Sequence, residues 1–445
     1  MKILFISLGC DKNLADSEEM LGLLTGSGHE IVDSEEEAEA IVINTCCFIH
    51  DAKEESVNTI LEMAEYKKTG KCKALVVTGC MAQRYKEEIT QEIPEVDAVL
   101  GTTSYGDIVK ALNEVQAGHV FQEFRDINEL PEDSGRRVLT TGGHFGYLKI
   151  AEGCDKHCTY CIIPSLRGSF RSVPEERLLA QAEYMASQGV KELILVAQET
   201  TVYGTDLYGR KTLHILLKKL CQIRGIRWIR VLYCYPEEIY DELIQVMKEE
   251  KKICNYLDLP IQHASDRILK RMGRRTTRKQ LTDIITKLRR EIPDIVLRTS
   301  LITGFPGETQ EDHEELMEFV DQMEFDRLGV FTYSPEEGTP AESMEGQVPE
   351  EVKEERRDEI MSLQQEISLE KGSERIGQEL LVMIEGKVSG ESAYIGRTYA
   401  DAPKVDGYLF VQTGELLVTG DFARVRVTGA LEYDLIGELA DEYTE

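Results

Sequence analysis

Short apolar runs recur along the chain, and each is followed by a polar turn and then a stretch with helical spacing. That alternation is the strongest restriction the sequence places on its fold, because such strand–helix units build parallel sheets with helices on their faces. In a first series Lys2–Ser7, Ala40–Asn44, Ala74–Thr78 and Ala98–Leu100 read as strands. Asp16–Leu24, Ala52–Tyr66, Ala82–Glu92 and Asp107–Val115 read as the helices that follow them. The pattern predicts an α/β domain with a doubly wound parallel sheet over residues 1–115.

Residues 116–143 lose the period to Gly, Asp, Glu, Arg and Thr, with Pro131 and Gly142–Gly143 interrupting, and read as a linker or meandering connection. A second series then starts, with strands at Tyr147–Ala151, Glu192–Ala197, Trp228–Leu232, Tyr256–Leu259, Val296–Leu301 and Arg327–Phe331. Helices are expected between them at Pro174–Gln188, Leu213–Gln222, Glu237–Glu250, Thr277–Glu291 and Gln310–Met323, with a charged last helix at Pro349–Lys371. Six units over residues 144–372 predict a partial (β/α)6 barrel, since a complete one has eight. After Gly377 the runs become short and Gly-punctuated: Leu380–Ile384, Tyr394–Tyr399, Gly407–Phe410, Leu416–Val418 and Ala423–Leu431. They predict a small antiparallel β-barrel over residues 377–441. Three cores suit 445 residues, which exceed what one core supports.

Charge narrows the class. Lys and Arg number 51 against 81 Asp and Glu, a net charge of −30, and such a surface repels phosphate backbones. With 42% hydrophobic and 30% charged residues the composition is that of a soluble globular protein. No apolar run approaches the ~20 residues of a membrane helix. Met1–Cys10 has neither the apolar core nor the cleavage site of a signal peptide, so a cytoplasmic location is expected. Reduced thiols are the rule there, and the eleven cysteines then matter through their spacing rather than as disulfides.

Cys154, Cys158 and Cys161 lie in one loop directly after the first strand of the second series, on the face where parallel barrels build active sites. Three thiolates at spacings of four and three can converge on one metal centre. A structural zinc site wants four ligands and no fourth stands nearby, His157 being cramped between two of the cysteines. An iron–sulfur cube normally takes four thiolates, so three leave one iron open to a substrate. Cys10, Cys46 and Cys80 are dispersed, yet each follows a strand of the first sheet, at the edge where ligands bind. Sequence distance therefore collapses into proximity, and a second three-thiolate group is expected. Cys47 leaves an ambiguity, and the Asn44-Thr45-Cys46 context favours Cys46. Cys72, Cys221, Cys234 and Cys254 show no such pattern and read as structural.

The loop Cys154-Asp-Lys-His-Cys158-Thr-Tyr160-Cys161 resembles the binding motif of radical S-adenosylmethionine enzymes. Two such trios on separate α/β domains, followed by a small barrel, resemble the radical-SAM methylthiotransferase family with its C-terminal TRAM domain. The resemblance implies two 4Fe–4S clusters, S-adenosylmethionine as methyl donor and radical source, an electron donor, and conversion of C–H to C–SCH3. Family members modify either a tRNA adenosine or an aspartate of the small-subunit ribosomal protein S-twelve. The C-terminal barrel argues for the second, because from residue 377 onward five basic residues face thirteen acidic ones, a balance of −8 that suits a basic protein better than RNA. Ser7-Leu-Gly-Cys-Asp-Lys-Asn13, Ala151-Glu-Gly-Cys154, Ile162-Ile-Pro-Ser-Leu-Arg-Gly168 and Val196-Ala-Gln-Glu-Thr-Thr-Val-Tyr-Gly204 resemble the ribosomal-protein branch. Val173 departs from it where the family often has a second Arg before Pro174. The alternatives are the tRNA-modifying reaction and a non-catalytic cluster-binding interaction protein.

The resemblance also implies roles for further positions. Gln198 and Glu199 end the second barrel strand, where the methionine end of the cofactor is held. Gly304 lies in Leu301-Ile-Thr-Gly-Phe-Pro-Gly-Glu308, which resembles the adenine-contacting segment, and Tyr160 offers its backbone to the adenine. Gln262-His263 is expected near the cavity, and Arg167 and Arg171 are candidates for binding a carboxylate.

Overall fold

The computed structural model describes residues 1–132 and 135–440; residues 133 and 134 of the expected linker and residue 441 at the expected barrel end lie outside the described residues. The first sheet contains β1 (Lys2–Ser7), β2 (Glu30–Val32), β3 (Ala40–Thr45), β4 (Ala74–Gly79), β5 (Ala98–Leu100) and β6 (Phe121–Glu123) in the spatial order β2-β1-β3-β4-β5-β6. Every pair is parallel. β3 and β4 are buried along their whole length because both faces are covered. Ile41 and Ile43 pack toward helices His50–Thr69 and Cys80–Glu92, while Ala40 and Val42 pack toward Asp11–Gly26 and Ile108–Gln116. The order of connection reverses between β1 and β3, the crevice where open α/β sheets bind ligands.

Two strands escape the sequence pattern. β2 and β6 are three-residue edges with no fully buried residue, and β6 comes from the stretch expected to be a linker. That stretch is a strap rather than a loose connection. Arg137 is buried and donates to Glu18 Oε2 (2.8 Å) and the Tyr147 carbonyl (2.6 Å), and Leu130 and Leu139 pack on the barrel core.

The second sheet is an open parallel barrel. Its strands are β7 (Phe145–Lys149), then, after the hairpin β8 (Ala151–Glu152) and β9 (Arg171–Ser172), β10 (Glu192–Val196), β11 (Trp228–Val231), β12 (Ile253–Asp258), β13 (Val296–Thr303) and β14 (Arg327–Thr332). They stand in the order β14-β13-β12-β11-β10-β7. Short helices at Ile163–Arg167, Thr205–Tyr208 and Asp266–Arg271 are additions the periodicity did not mark.

The C-terminal domain is a closed barrel of β15 (Glu379–Lys387), β16 (Ala393–Arg397), β17 (Leu409–Gln412), β18 (Phe422–Ala430) and β19 (Leu435–Leu439). Two expectations are corrected here. Leu416–Val418 is irregular, with Leu416 83% exposed, and the strand in its place is Leu435–Leu439. The barrel is also mixed, because β17 and β19 run parallel. It packs into the concave side of the open barrel: Met383, Ala400, Ala402 and Phe422 join Phe145, Tyr147, Ile194, Trp228 and Tyr256 in one apolar cluster. The carboxyl ends of the barrel strands are left to the first domain, whose helix Asp11–Gly26 packs on β7.

Candidate active site

β1 ends at Ser7, β3 at Thr45 and β4 at Gly79, so Cys10, Cys46 and Cys80 follow neighbouring strand ends on one edge, at the reversal of connection. Cys10 is the N-cap of helix Asp11–Gly26 and Cys80 is the first residue of Cys80–Glu92. Two helix N-termini therefore meet at this edge, directing positive partial charge toward it. Gly79 turns the chain from strand to helix at φ +95°, and a Cβ there would meet Asn44 Oδ1 at 2.3 Å and the Thr45 carbonyl at 2.5 Å.

Asn13 stitches this edge together. Its amide donates to the carbonyls of Leu8 (3.1 Å) and Thr45 (2.9 Å), and its Oδ1 lies 3.8 Å from Cys80 Sγ. Asn44 donates in turn to the Asn13 carbonyl and to Ser17 Oγ, both at 2.9 Å. The thiols share one electrostatic field. Burial pushes Cys46 up to about 11, with Cys80 and Cys10 adding to it. Cys80 is raised by burial against the pull of Arg167. Cys47 is fully buried and packs among Ile60, Met63 and Val77, beneath the edge.

The second group is held by its backbone. Cys154 N–H donates to the Gly168 carbonyl (3.1 Å), Cys161 N–H to that of Cys158 (3.0 Å), and Thr159 N–H to that of Met272 (2.9 Å). His157 adopts a left-handed conformation at φ +51°, which turns the loop between Cys154 and Cys158. Burial pushes Cys161 up to about 12, with Cys158 and Cys154 adding to it, and burial with Glu199 and Cys158 pushes Cys154 up to about 11. Tyr235 Oη stands 4.0 Å from Cys158 Sγ, and the Tyr160 ring meets Phe305 edge-on at 6.3 Å. Among the described residues no three His, Cys, Asp or Glu side chains close on a single metal ion, which would need sulfurs about 2.3 Å from one point.

Beside this loop, Gln198 Oε1 and Glu199 Oε2 are buried without a hydrogen-bond partner. Lys156 stands 3.4 Å from Glu199 Oε2, yet its ammonium is also taken up by Glu238. Burial, against the pull of Lys156, pushes the Glu199 carboxyl up to about 7. Buried polar atoms left open in this way mark the place of a polar ligand. Three thiols and these two acceptor oxygens form a set that fits an iron–sulfur cube and the ammonium of an amino-acid ligand.

Other sequence candidates already have partners within the chain. Gly304 has φ +70°, and a Cβ there would strike Lys353 Cγ at 2.1 Å, so packing against helix Glu350–Ser373 already accounts for the glycine. His263 is fully buried, and its Nδ1 accepts from the backbone N–H groups of Ala264 and Ser265 at 2.9 Å, holding a turn. Arg167 binds carboxylates, but internal ones: it donates to Asp16 (2.8 Å), Glu152 (3.3 Å) and the amide oxygen of Asn13 (2.5 Å). Arg171 donates to the carbonyls of Ser169 and Arg167 in the same turn. Arg167 ends the helix that starts two residues after Cys161 and acts on Cys80, so one short helix joins the two thiol groups. Its five residues rise roughly 7.5 Å.

Family models match three segments: the uncharacterized protein family UPF0004 over residues 2–101, the radical SAM superfamily over 148–320 and the TRAM domain over 376–440. A ribosomal protein uS12 methylthiotransferase RimO from Lachnoclostridium phytofermentans is 64% identical over 437 residues, covering 98% of this chain and 99% of that protein. The chain belongs to the RimO family. A RimO from Clostridium botulinum (strain Langeland) is 50% identical over 445 residues, covering 100% of this chain and 99% of its own. The fold of this RimO-family chain is shared more widely. The radical S-adenosylmethionine methyltransferase TsrM from Kitasatospora setae has a TM-score of 0.55 at 13% identity, over 77% of each chain.

Proposed function

We propose that the chain carries two 4Fe–4S clusters, on Cys10, Cys46 and Cys80 and on Cys154, Cys158 and Cys161, and adds a methylthio group to the β-carbon of one aspartate in ribosomal protein uS12. The observation that carries this reading is the pair of three-thiol groups, each at the carboxyl edge of its own parallel sheet and joined by the helix Ile163–Arg167. Near-full-length identity to proteins named uS12 methylthiotransferase supports the substrate.

When bound, the clusters and S-adenosylmethionine supply a carbon-centred radical that abstracts hydrogen, and the sulfur and methyl group for the carbon left behind. The rest is the chain's work. Three cysteines per cluster leave one iron open on each. Gln198 and Glu199 receive the ammonium of the amino-acid end, and Lys156 keeps the Glu199 carboxylate in place. Tyr160 presents its backbone to the adenine, with Gly304 as a further contact. The first domain covers the barrel's strand ends and excludes water from the reacting groups. An external electron donor serves the second cluster, and the thiol-preserving cytoplasm is the working compartment. No helix is long and apolar enough to cross a membrane among the described residues.

The deciding experiment gives anaerobically reconstituted enzyme purified uS12 and bulk tRNA in parallel, followed by mass spectrometry of each. A methylthio group on uS12 alone is expected. Modified tRNA with unmodified uS12 would overturn the substrate, and two bound zincs without visible absorbance would overturn the chemistry.

A further inference from the structure

Buried lysines normally sit against a carboxylate, since an unpaired ammonium is costly away from water. Lys149 follows that rule with Asp16 and Glu152, and Lys353 follows it with Glu350 at 2.9 Å. Lys12 does not. It is 9% exposed, and among the described residues no carboxylate lies within 4.0 Å of its ammonium. The ammonium rests instead on the face of Tyr233, 3.3 Å from the ring centroid. The adjacent carboxylate, Asp11, and Cys10 act on the ammonium only from beyond ion-pair distance, and Asp11 accepts hydrogen bonds from the hydroxyls of Tyr233 (3.4 Å) and Tyr147.

Its position gives this spare cation a use. Lys12 lies in the first turn of helix Asp11–Gly26, two residues after Cys10, and Tyr233 follows β11 on the barrel edge that carries the Cys154 loop. The ammonium therefore stands where the two domains meet, beside the Cys10 edge. Tyr233 adopts a left-handed backbone at φ +59°, a conformation that costs a non-glycine residue energy and is retained chiefly at working sites. His157 and Gln262 share that conformation on the same edge.

We propose that Lys12 receives the side-chain carboxylate of the substrate aspartate, and that the missing partner of this buried cation is supplied by the substrate. The proposal rests on the uS12 reading above and adds the residue that selects an acidic side chain. The aromatic face of Tyr233 holds the ammonium in place between turnovers. A rival role, as counter-charge to the Cys10 thiolate, would act on cluster retention and not on the choice of substrate side chain.

The test measures equilibrium binding of reconstituted full-length enzyme to uS12 and to uS12 with the target aspartate replaced by asparagine. Wild-type enzyme is expected to bind the aspartate form at least about thirtyfold more tightly, the scale of a desolvated charge pair. Lys12→Met, whose thioether still packs on Tyr233, is expected to bind both forms alike and to keep its iron. Lys12→Arg is expected to keep most of the preference. Equal binding of the two forms by wild-type enzyme, or an unchanged preference in Lys12→Met, overturns the proposal. Loss of iron in Lys12→Met with the preference intact assigns the residue to the cluster instead. Wild-type enzyme that leaves uS12 unmodified overturns the functional reading itself, a different result.

Discussion

At the scale of single residues, neighbouring cysteines have different surroundings. Cys46 lies at the strand edge in the field of Cys80 and Cys10, whereas Cys47, although it also feels Cys80, is fully buried in the apolar cluster of Ile60, Met63 and Val77. Cys46→Ala is therefore expected to lower reconstituted iron from about eight to about four atoms per chain, while Cys47→Ala keeps the iron. The second change should cost only about 1 kcal/mol of stability, as a small core truncation. Iron analysis and a denaturant titration check both. Cys154→Ala is expected to abolish formation of 5′-deoxyadenosine, read by chromatography. Cys10→Ala should retain part of that cleavage and yield no methylthiolated product. Normal product from Cys10→Ala would remove the first cluster from the reaction.

Among elements, helix Asp11–Gly26 decides how the two thiol groups face each other. Its spacing alone predicts a start at Asp16, because the first turn reads Asp11-Lys12-Asn13 and polar turns are usually loops. In the structure Lys12, Asn13, Asp16, Ser17, Glu18 and Glu19 are all buried, since the helix lies between two domains and its polar face meets polar partners instead of water. Arg167, Asp16, Lys149 and Glu152 form one buried ion network across that junction. Removing one member strands the others, so Arg167→Ala is expected to cost about 3 kcal/mol or more in urea denaturation. Arg290→Ala, an exposed residue beside Glu291, should change stability by less than about 0.5 kcal/mol. The same contrast explains what the sequence revealed. β3 and β4 were legible because every residue is apolar or buried, and their ends located the cysteines. Asn13, Asn44 and Asp16 were not, because a polar residue in a helix or at a strand end ordinarily faces solvent. β2 and β6 are too short to show a period, and Leu416–Val418 reads as a strand because all three residues are apolar, although only Leu417 is buried.

Over the whole molecule, charge and docking follow separate rules. A net charge of −30 draws a basic ribosomal protein toward the enzyme, so the association rate should fall steeply between 50 and 500 mM salt, roughly as Debye screening predicts, in stopped-flow measurements. The seating of the C-terminal barrel depends instead on buried ions. Glu192 pairs with Arg230 and with Arg397 of the barrel, both at 2.8 Å, and all three side chains are fully buried. Burial opposes ionisation of Glu192, but Arg397 and Arg230 hold its carboxyl below the ordinary 4.5. Glu385 and Asp401 are likewise lowered, against burial, by His144 with Arg397 and by Arg327. A lowered acid in the folded state means the unfolded chain binds more protons, so this stabilisation is complete above the unfolded value and is lost as pH falls through the folded one. Asp406, which burial holds above its ordinary value, acts with the opposite sign at the same junction, so the wild-type melting temperature alone does not isolate Glu192. The Glu192→Gln variant does. At neutral pH it should be less stable by about 3–5 kcal/mol, because two buried guanidinium groups lose their carboxylate. The gap from wild type should then narrow as pH drops below 4.5 and wild-type Glu192 takes up its own proton. Thermal melts of both proteins across that range check the point, and a gap independent of pH would show that the carboxylate charge does not hold the barrel in place.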